Sequence, residues 1–189
     1  MIGHAVIWGI PETLEWELDT LRINHPRWSD EVFLSWAKQT YEDADYARRK
    51  HDSEFVKDSI TGEFFAVFKK KADDDRTNSI DRPLDVQGLQ IVNISSDGEN
   101  DIIDVKFVSE RLSVRGKARS VIEYVSFTRP HYERFTDRSA ADWNGTCPKC
   151  FAALPTEHVW RCPYCGHNVA EQSTGWKIRK IVTEKDYAG

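Results

Sequence analysis

All four cysteines of the chain lie in one short stretch and form two pairs with the same spacing. Two residues separate Cys147 from Cys150, eleven residues follow, and two residues again separate Cys162 from Cys165. Because two intervening residues allow a tight turn that aims both sulfurs at one point, two such turns can supply four thiolates to one tetrahedral zinc ion. Four thiolates leave no coordination position open for water, so the predicted zinc is structural and not catalytic.

Two other chemistries use the same residues, namely two disulfides or a redox-active C-x-x-C pair. Nothing in the sequence suggests secretion, where disulfides persist, and a thioredoxin-type motif needs only one pair. The sequence therefore favours one structural zinc ion as the cofactor. His158 and His167 lie close by, but the cysteines already complete the ligand set, so neither histidine is predicted to bind the metal.

The spacer between the two pairs predicts a small hairpin, which with the cysteines makes a zinc ribbon at residues 140–170. A turn is favoured at Pro155 and Thr156. The strand formers of the spacer are Phe151, Leu154, Val159 and Trp160. So short a segment cannot bury enough apolar surface by itself, so we expect it to depend on its metal.

The composition bounds the remaining chain to one well-buried domain beside the ribbon. The chain has 189 residues, 40% of them hydrophobic, and a formal net charge of −5, which argues against a protein that wraps nucleic acid. The apolar run from Ile2 to Ile10 is much shorter than the roughly 20 residues that span a bilayer, and no basic leader segment precedes it. A cytoplasmic protein is predicted, with membrane association only peripheral and indirect.

Three helices are predicted before the first long strand. Pro11 begins an amphipathic helix within residues 1–23, whose inward face is Ile10, Leu14, Leu18 and Leu21. Ser29 caps a second helix. The buried stripe of this second helix is Phe33, Trp36, Ala37, Thr40, Tyr41 and Ala44. A third helix is predicted from Ser53 to Lys71, with its inward residues at Val56, Ile60, Phe64, Val67 and Phe68.

From Leu89 onward the hydrophobic period changes to two, which predicts an antiparallel sheet. The predicted strands are Leu89–Ile94, a second from Ile103 as far as Val114, Val121–Phe127 and Trp176–Val182, and the turn of the first hairpin is Ser96–Asn100. Helices followed by strands indicate an α+β fold. Because the ribbon falls between the last two strands, those strands should be neighbours and Trp176 should be buried.

The chain resembles the Tim forty-four-like domain family from about Asn24 to Val182. The segment from His25 to Leu34 is similar to the family's D-P-x-F-x-E-x-x-F-L, the strand from Glu123 to Arg129 is similar to E-Y-W-T-F-x-R, and Trp176-Lys177-Ile178 is similar to W-x-L. Bacterial members often carry a zinc ribbon inside the domain. The chain departs from the family at His25 and Val125, where Asp and Trp are usual, and no membrane helix precedes the domain.

This resemblance implies a cone-shaped fold like that of nuclear transport factor two, in which a long helix lies on a curved antiparallel sheet. The domain would comprise residues 24–139 and 171–189, with the ribbon inserted at 140–170. The family implies an adaptor in protein transport or a ribosome-associated protein.

Three functions follow as hypotheses. The leading one is a non-enzymatic zinc-binding adaptor that mediates protein-protein interaction, in protein transport or at a membrane-associated assembly. The second is a small-ligand binder or enzyme that uses the pocket of the cone. Its candidate residues are Tyr41, Asp43, Asp45 and Tyr124, although the simpler interpretation is that the tyrosines pack in the core and the aspartates are solvated.

The third is ribosome or RNA contact through a basic patch, which consists of Arg111, Arg115, Lys117, Arg119, Lys177, Arg179 and Lys180. The sequence does not indicate an oligomeric state.

Overall fold

A computed structural model describes residues 5–24, 28–74, 83–112, 117–130, 146–147, 150–153, 162–166 and 175–187. In chain order its helices and strands are β1 (Val6–Ile7), α1 (Glu15–Asn24), α2 (Asp30–Lys50), α3 (Gly62–Asp74), β2 (Asp85–Ser96), β3 (Asn100–Leu112), β4 (Ala118–Pro130) and β5 (Lys177–Thr183). Short 3₁₀ segments lie at Glu12–Leu14, Ser53–Ser59 and Glu184–Asp186. The four longer strands follow the helices, as predicted, but the short strand β1 precedes them.

The described strands form one sheet in the order β1-β2-β3-β4-β5. The pairs β2-β3, β3-β4 and β4-β5 are antiparallel, as the alternation of apolar and polar residues predicted. One part of the prediction is wrong, because β1 pairs in parallel with β2 and the sheet is therefore mixed. A strand of two residues is too short to show a period of two, so hydrophobic periodicity could not predict it.

Helix α2 lies across one face of the sheet and forms the centre of the core. Its N-cap is Ser29, whose hydroxyl oxygen accepts from the backbone N–H of Val32, as predicted. The predicted stripe is buried throughout, and its rings meet the sheet where Trp36 contacts Phe127 and Tyr41 stacks on Phe107. This packing of a long helix on a sheet is the observed arrangement, and the cone shape stays a prediction.

The third predicted helix is two segments. The 3₁₀ segment Ser53–Ser59 ends at Ile60, which bridges to Ile178 of β5, and α3 begins only at Gly62. Gly62 is thus the first residue of a helix and not an interior glycine. Val67 is half exposed, contrary to the prediction, because α3 turns Phe68 and Ala72 inward, four residues apart, and Val67 lies to the side of that face.

The chain leaves the sheet at the end of β4 and returns to it in β5, directly beside the strand that it left. Phe127 is opposite Ile178, and Thr128 is opposite Lys177. Trp176 is 2% exposed and lies against Phe33 of α2, with ring centroids 5.5 Å apart. The predicted adjacency of the two strands and the predicted burial of Trp176 are both confirmed, while the division into a domain and an inserted ribbon stays a prediction.

The first helix is amphipathic as predicted. Leu18 and Leu21 are buried, and Ile10 and Leu14 pack against the same core. Among the described helices, none combines the length and the apolar character that crossing a membrane requires.

Candidate metal centre

The four cysteine sulfurs converge on one point. All four Sγ atoms lie within 4.8 Å of one another, and the pairs Cys147-Cys165 and Cys150-Cys162 are each 3.6 Å apart. A tetrahedral zinc ion with Zn–S bonds of about 2.3 Å separates its sulfurs by about 3.8 Å. The residues present therefore fit a four-thiolate metal ion, and none of the four sulfurs forms a disulfide.

Two turns with the same backbone geometry aim these sulfurs. The N–H of Phe151 donates to the carbonyl of Cys147 at 2.8 Å, and the N–H of Gly166 donates to the carbonyl of Cys162 at 3.0 Å. The donor residue has left-handed backbone in both turns, with φ of 60° at Phe151 and 69° at Gly166. The two C-P-x-C motifs thus form a repeated structure, each half of which contributes two sulfurs.

A third backbone bond holds the first turn in place, because the N–H of Cys147 donates to the carbonyl of Ala152 at 2.8 Å. Next to it, Thr146 and Ala153 form an isolated antiparallel bridge. This is the beginning of a hairpin. The rest of the predicted hairpin, including Trp160 and the turn at Pro155, lies outside the described residues, as do His158 and His167.

The electrostatics of the sulfur cluster favour a bound cation. At Cys150 the backbone N–H of Ala152 lowers the thiol pKa, but desolvation and the three neighbouring sulfurs raise it, with the net result that the pKa rises to about 12. Cys147 and Cys162 are buried. Four sulfurs so close together cannot all ionise unless a central positive charge offsets their repulsion, and a coordinated divalent ion does so.

The candidate residues of the predicted cone pocket do not all converge. Tyr41 lies under the sheet and donates a hydrogen bond to Glu123 of β4. Tyr124 is the next residue of that strand and lies on the opposite face, where it stacks on Tyr187 with ring centroids 3.9 Å apart. The two tyrosines therefore cannot share one cavity.

The interpretation of the two aspartates as solvated is wrong. Asp43 is buried and accepts from Gln39, and Asp45 is 1% exposed. Asp45 lies in a group that we call the arginine cluster, which consists of Asp45, Arg48, Arg49, Arg111 and Glu123. Arg48, Arg49 and Glu123 were not candidates in the sequence: the two arginines were interpreted only as the basic end of α2, and nothing local links Glu123 to Asp45.

Asp45 is the centre of the arginine cluster. Its Oδ1 accepts from Nη2 of Arg111 at 2.8 Å, and its Oδ2 accepts from Nε of Arg49 at 2.9 Å and from the N–H of Leu84 at 3.3 Å. Arg48 places Nη2 3.8 Å from both Asp45 and Glu123. Burial raises the pKa of Tyr41 well above its ordinary value, and the charge of Glu123 adds to this effect, so the phenol beside the cluster stays protonated.

The predicted basic patch is split between two parts of the sheet. Arg111 pairs with Arg119 near the start of β4, whereas Lys180 pairs with Ser126 further along the same strand. Seven residues of extended chain separate Arg119 from Ser126, which is about 23 Å. Arg115 lies outside the described residues, and the described basic residues do not form one contiguous surface.

No family model matches this chain, and no curated protein matches it either. The resemblance to Tim forty-four-like domains therefore stays a prediction.

Proposed function

We propose that the protein is a non-enzymatic adaptor that binds a partner protein through apolar surface on α1 and β1, with one structural zinc ion holding its ribbon folded. The observation that carries this proposal is the exposure of large apolar side chains at the N-terminal side of the structure. Trp16 is 76% exposed and Ile23 is 78% exposed. Seven residues apart on one helix, they lie on the same face, opposite the buried Leu18 and Leu21.

A cleft beside this helix supports the same function. It has a volume of about 640 Å³ and apolar walls that include Ile7, Trp8 and Leu34. Its charged lining residues are Glu15, Asp19, Asp30, Glu31 and Arg22. Four carboxylates against one guanidinium give the cleft a net negative charge, so the partner segment that suits it presents apolar and basic side chains.

Zinc is the metal that we assign to the four cysteines. Four thiolates in a closed tetrahedral set are typical of structural zinc sites, and such a site leaves no position for a substrate. The metal thus contributes folding free energy and not chemistry, which agrees with an adaptor.

A pull-down from cells with substituted chains tests the adaptor proposal. We expect proteins captured by the unsubstituted chain to be lost from a Trp16→Ser, Ile23→Ser double variant. Val67→Ser is the matched control, because Val67 is also an exposed apolar residue but lies on α3, away from the cleft. Capture of the same proteins by the double variant would contradict the proposed surface.

A Cys162→Ser variant tests the part played by the ribbon. If the sheet of this variant remains folded and the variant still binds the partner, the ribbon is not needed for this contact. Loss of the partner in Cys162→Ser but not in Val67→Ser is the result expected for an adaptor that requires its zinc.

A further inference from the structure

The arginine cluster carries more positive charge than its own carboxylates neutralise. Three guanidinium groups, those of Arg48, Arg49 and Arg111, face two carboxylates, those of Asp45 and Glu123. The side chains of these arginines are only 22%, 11% and 21% exposed, so water screens the surplus poorly. A half-buried cluster of this kind favours an added negative charge.

The cluster also has more hydrogen-bond donors than acceptors. Within the described part of the chain, Nη2 of Arg48 and Nε of Arg111 are buried and have no hydrogen-bond acceptor. The Asp45 carboxylate already accepts from three donors, and Glu123 accepts from Tyr41. Buried guanidinium nitrogens are normally paired, and among the described residues these two have no acceptor, so they are available to bind a ligand that supplies one.

A fourth guanidinium stands at the solvent side. Arg119 on β4 is directly opposite Arg111 on β3, and directly opposite residues of neighbouring strands project from the same face with Cβ atoms about 5 Å apart. Arg119 is exposed. Two like charges placed side by side repel each other unless an anion lies between them or close to both.

We infer that the arginine cluster, with Arg119 at its mouth, is a binding site for a phosphate-type oxyanion. Guanidinium groups bind phosphate through paired, charge-assisted hydrogen bonds, and a tetrahedral anion can accept from several arginines that approach from different directions. The arginines come from α2 and from the adjacent strands β3 and β4, so they approach the position from the helix and from the sheet. The surplus charge, the unpaired nitrogens and the Arg111-Arg119 pair all indicate the same position.

The test is a titration of the full zinc-loaded chain with inorganic phosphate. Phosphate replaces chloride in the buffer, so that the ionic strength stays constant. The signals to follow by NMR are the Nε–H resonances of Arg48, Arg111 and Arg119. We expect them to shift and to saturate with phosphate, while Arg179 serves as the reference because it lies on β5 and pairs with Asp97. Shifts that do not saturate, or that are equal at Arg179, would overturn the site.

Substitutions give a second measurement. Arg111→Gln should raise the Kd for phosphate about tenfold or more, because one charge-assisted hydrogen bond contributes at least that factor. If Arg111→Gln does not fold, Arg119→Gln is the replacement, since its side chain is exposed and its loss leaves the core intact. Arg179→Gln should leave the Kd unchanged, and equal affinity in all the variants, or saturation by acetate and not by phosphate, would contradict the inference.

Discussion

The guanidinium of Arg129 lies 4.7 Å from the centroid of the Trp176 ring, so the next-to-last residue of β4 contacts the residue just before β5. Arg129 is itself buried and is paired with Asp101 of β3 at 3.3 Å. A cation over an indole face is stabilised by the ring's electron density, most strongly when both groups are desolvated. The two ends of the long connection between β4 and β5 are therefore held together by one buried cation–π contact.

Replacing Trp176 by alanine should strongly destabilise the protein. The indole is 2% exposed and contacts Phe33, so its removal should lower the free energy of unfolding by about 3–5 kcal/mol. Urea unfolding measures this loss. Trp16→Ala is the control, because Trp16 is exposed and its replacement should change the free energy by about 0.5 kcal/mol or less. Equal effects of the two substitutions would contradict the burial of Trp176.

The purified chain should contain one zinc ion, and its removal should unfold the ribbon before the sheet. The ribbon depends on its metal, whereas the sheet and α2 bury a core of their own. Metal analysis checks the stoichiometry. Hydrogen exchange after chelation should show protected amides in β3 and β4 and lost protection near Cys147. A single cooperative transition of the whole chain on chelation would show instead that the ribbon is part of the core.

The sequence predicted those parts of the structure whose signals are local. Ser29 and the apolar stripe of α2 specify a helix, alternation specifies β3, and β-branched and aromatic residues specify β4. The bridge from Ile60 to Ile178 joins residues far apart in the chain, so the break before α3 left no local signal.

The candidate metal centre was predicted for the same reason, because the spacing of Cys147 and Cys150 is itself the signal. The arginine cluster was not, because its contacts join residues that are distant in sequence. Asp45 and Arg111 are 66 positions apart, and Tyr41 and Glu123 are 82 positions apart. Only the fold brings these groups together.

Replacing Asp45 by asparagine should be as costly as a large change in the core. The neutral amide leaves the guanidinium groups of Arg49 and Arg111 without their charged partner, and loss of one member of a buried ion pair typically costs about 3–5 kcal/mol. Chemical denaturation measures the difference. Asp52→Asn is the matched control, since Asp52 is exposed and its side chain makes no capping hydrogen bond to the 3₁₀ segment that follows it. A loss below about 1 kcal/mol in Asp45→Asn would mean that the cluster is well solvated.

Replacing Phe151 by glycine should strengthen metal binding. Phe151 has left-handed backbone and is exposed, so it strains the first turn by about 1 kcal/mol without packing against the core. Glycine, which stands at the equivalent position of the second turn, removes this strain, and zinc affinity should rise about fivefold in competition with a chelator. Gly166→Ala should have the opposite effect. A fall in affinity for Phe151→Gly would show that the ring contributes a contact that stabilises the ribbon.

The protein should lose a small part of its stability between pH 10 and pH 12 through Tyr187. Desolvation and the nearby charge of Asp104 raise the pKa of Tyr187 to about 12. Because the folded state holds this proton more tightly than the unfolded state, the contribution is complete below pH 10 and is lost as the pH rises to 12. Urea titrations at pH 8 and pH 11 should show a smaller loss for Tyr187→Phe than for the unsubstituted chain. An equal loss of unfolding free energy between pH 8 and pH 11 in Tyr187→Phe and in the unsubstituted chain would contradict the raised pKa of Tyr187.

In the described sheet, the sides of β2 and β5 that face away from β3 and β4 are both partly covered. On the β2 side, the N–H of Trp8 donates to the carbonyl of Leu89 at 3.1 Å, and the side chain of Gln90 donates to the carbonyl of Gly9 at 2.7 Å. The pairing of β2 with β3 is irregular on both sides of this contact. Bulges and short covering strands are common devices that interrupt a regular edge.

On the β5 side, the N–H of Thr61 donates to the carbonyl of Ile178 at 2.9 Å. Lys177, Arg179 and Lys180 add three exposed positive charges to a strand of seven residues. Charged side chains on an outer strand discourage another chain from pairing with it.

Strand addition is consequently a poor route for anything that binds this protein. A ligand is therefore expected to bind through side chains and the cleft, and not by adding a strand to the sheet. For the same reason, β2 and β5 do not offer a regular free edge at which two copies of the chain could pair. Resistance to edge-to-edge aggregation thus depends on Ile60 and Thr61, between the 3₁₀ segment and α3, and on the two residues of β1. The periodicity of the sequence reveals neither contact.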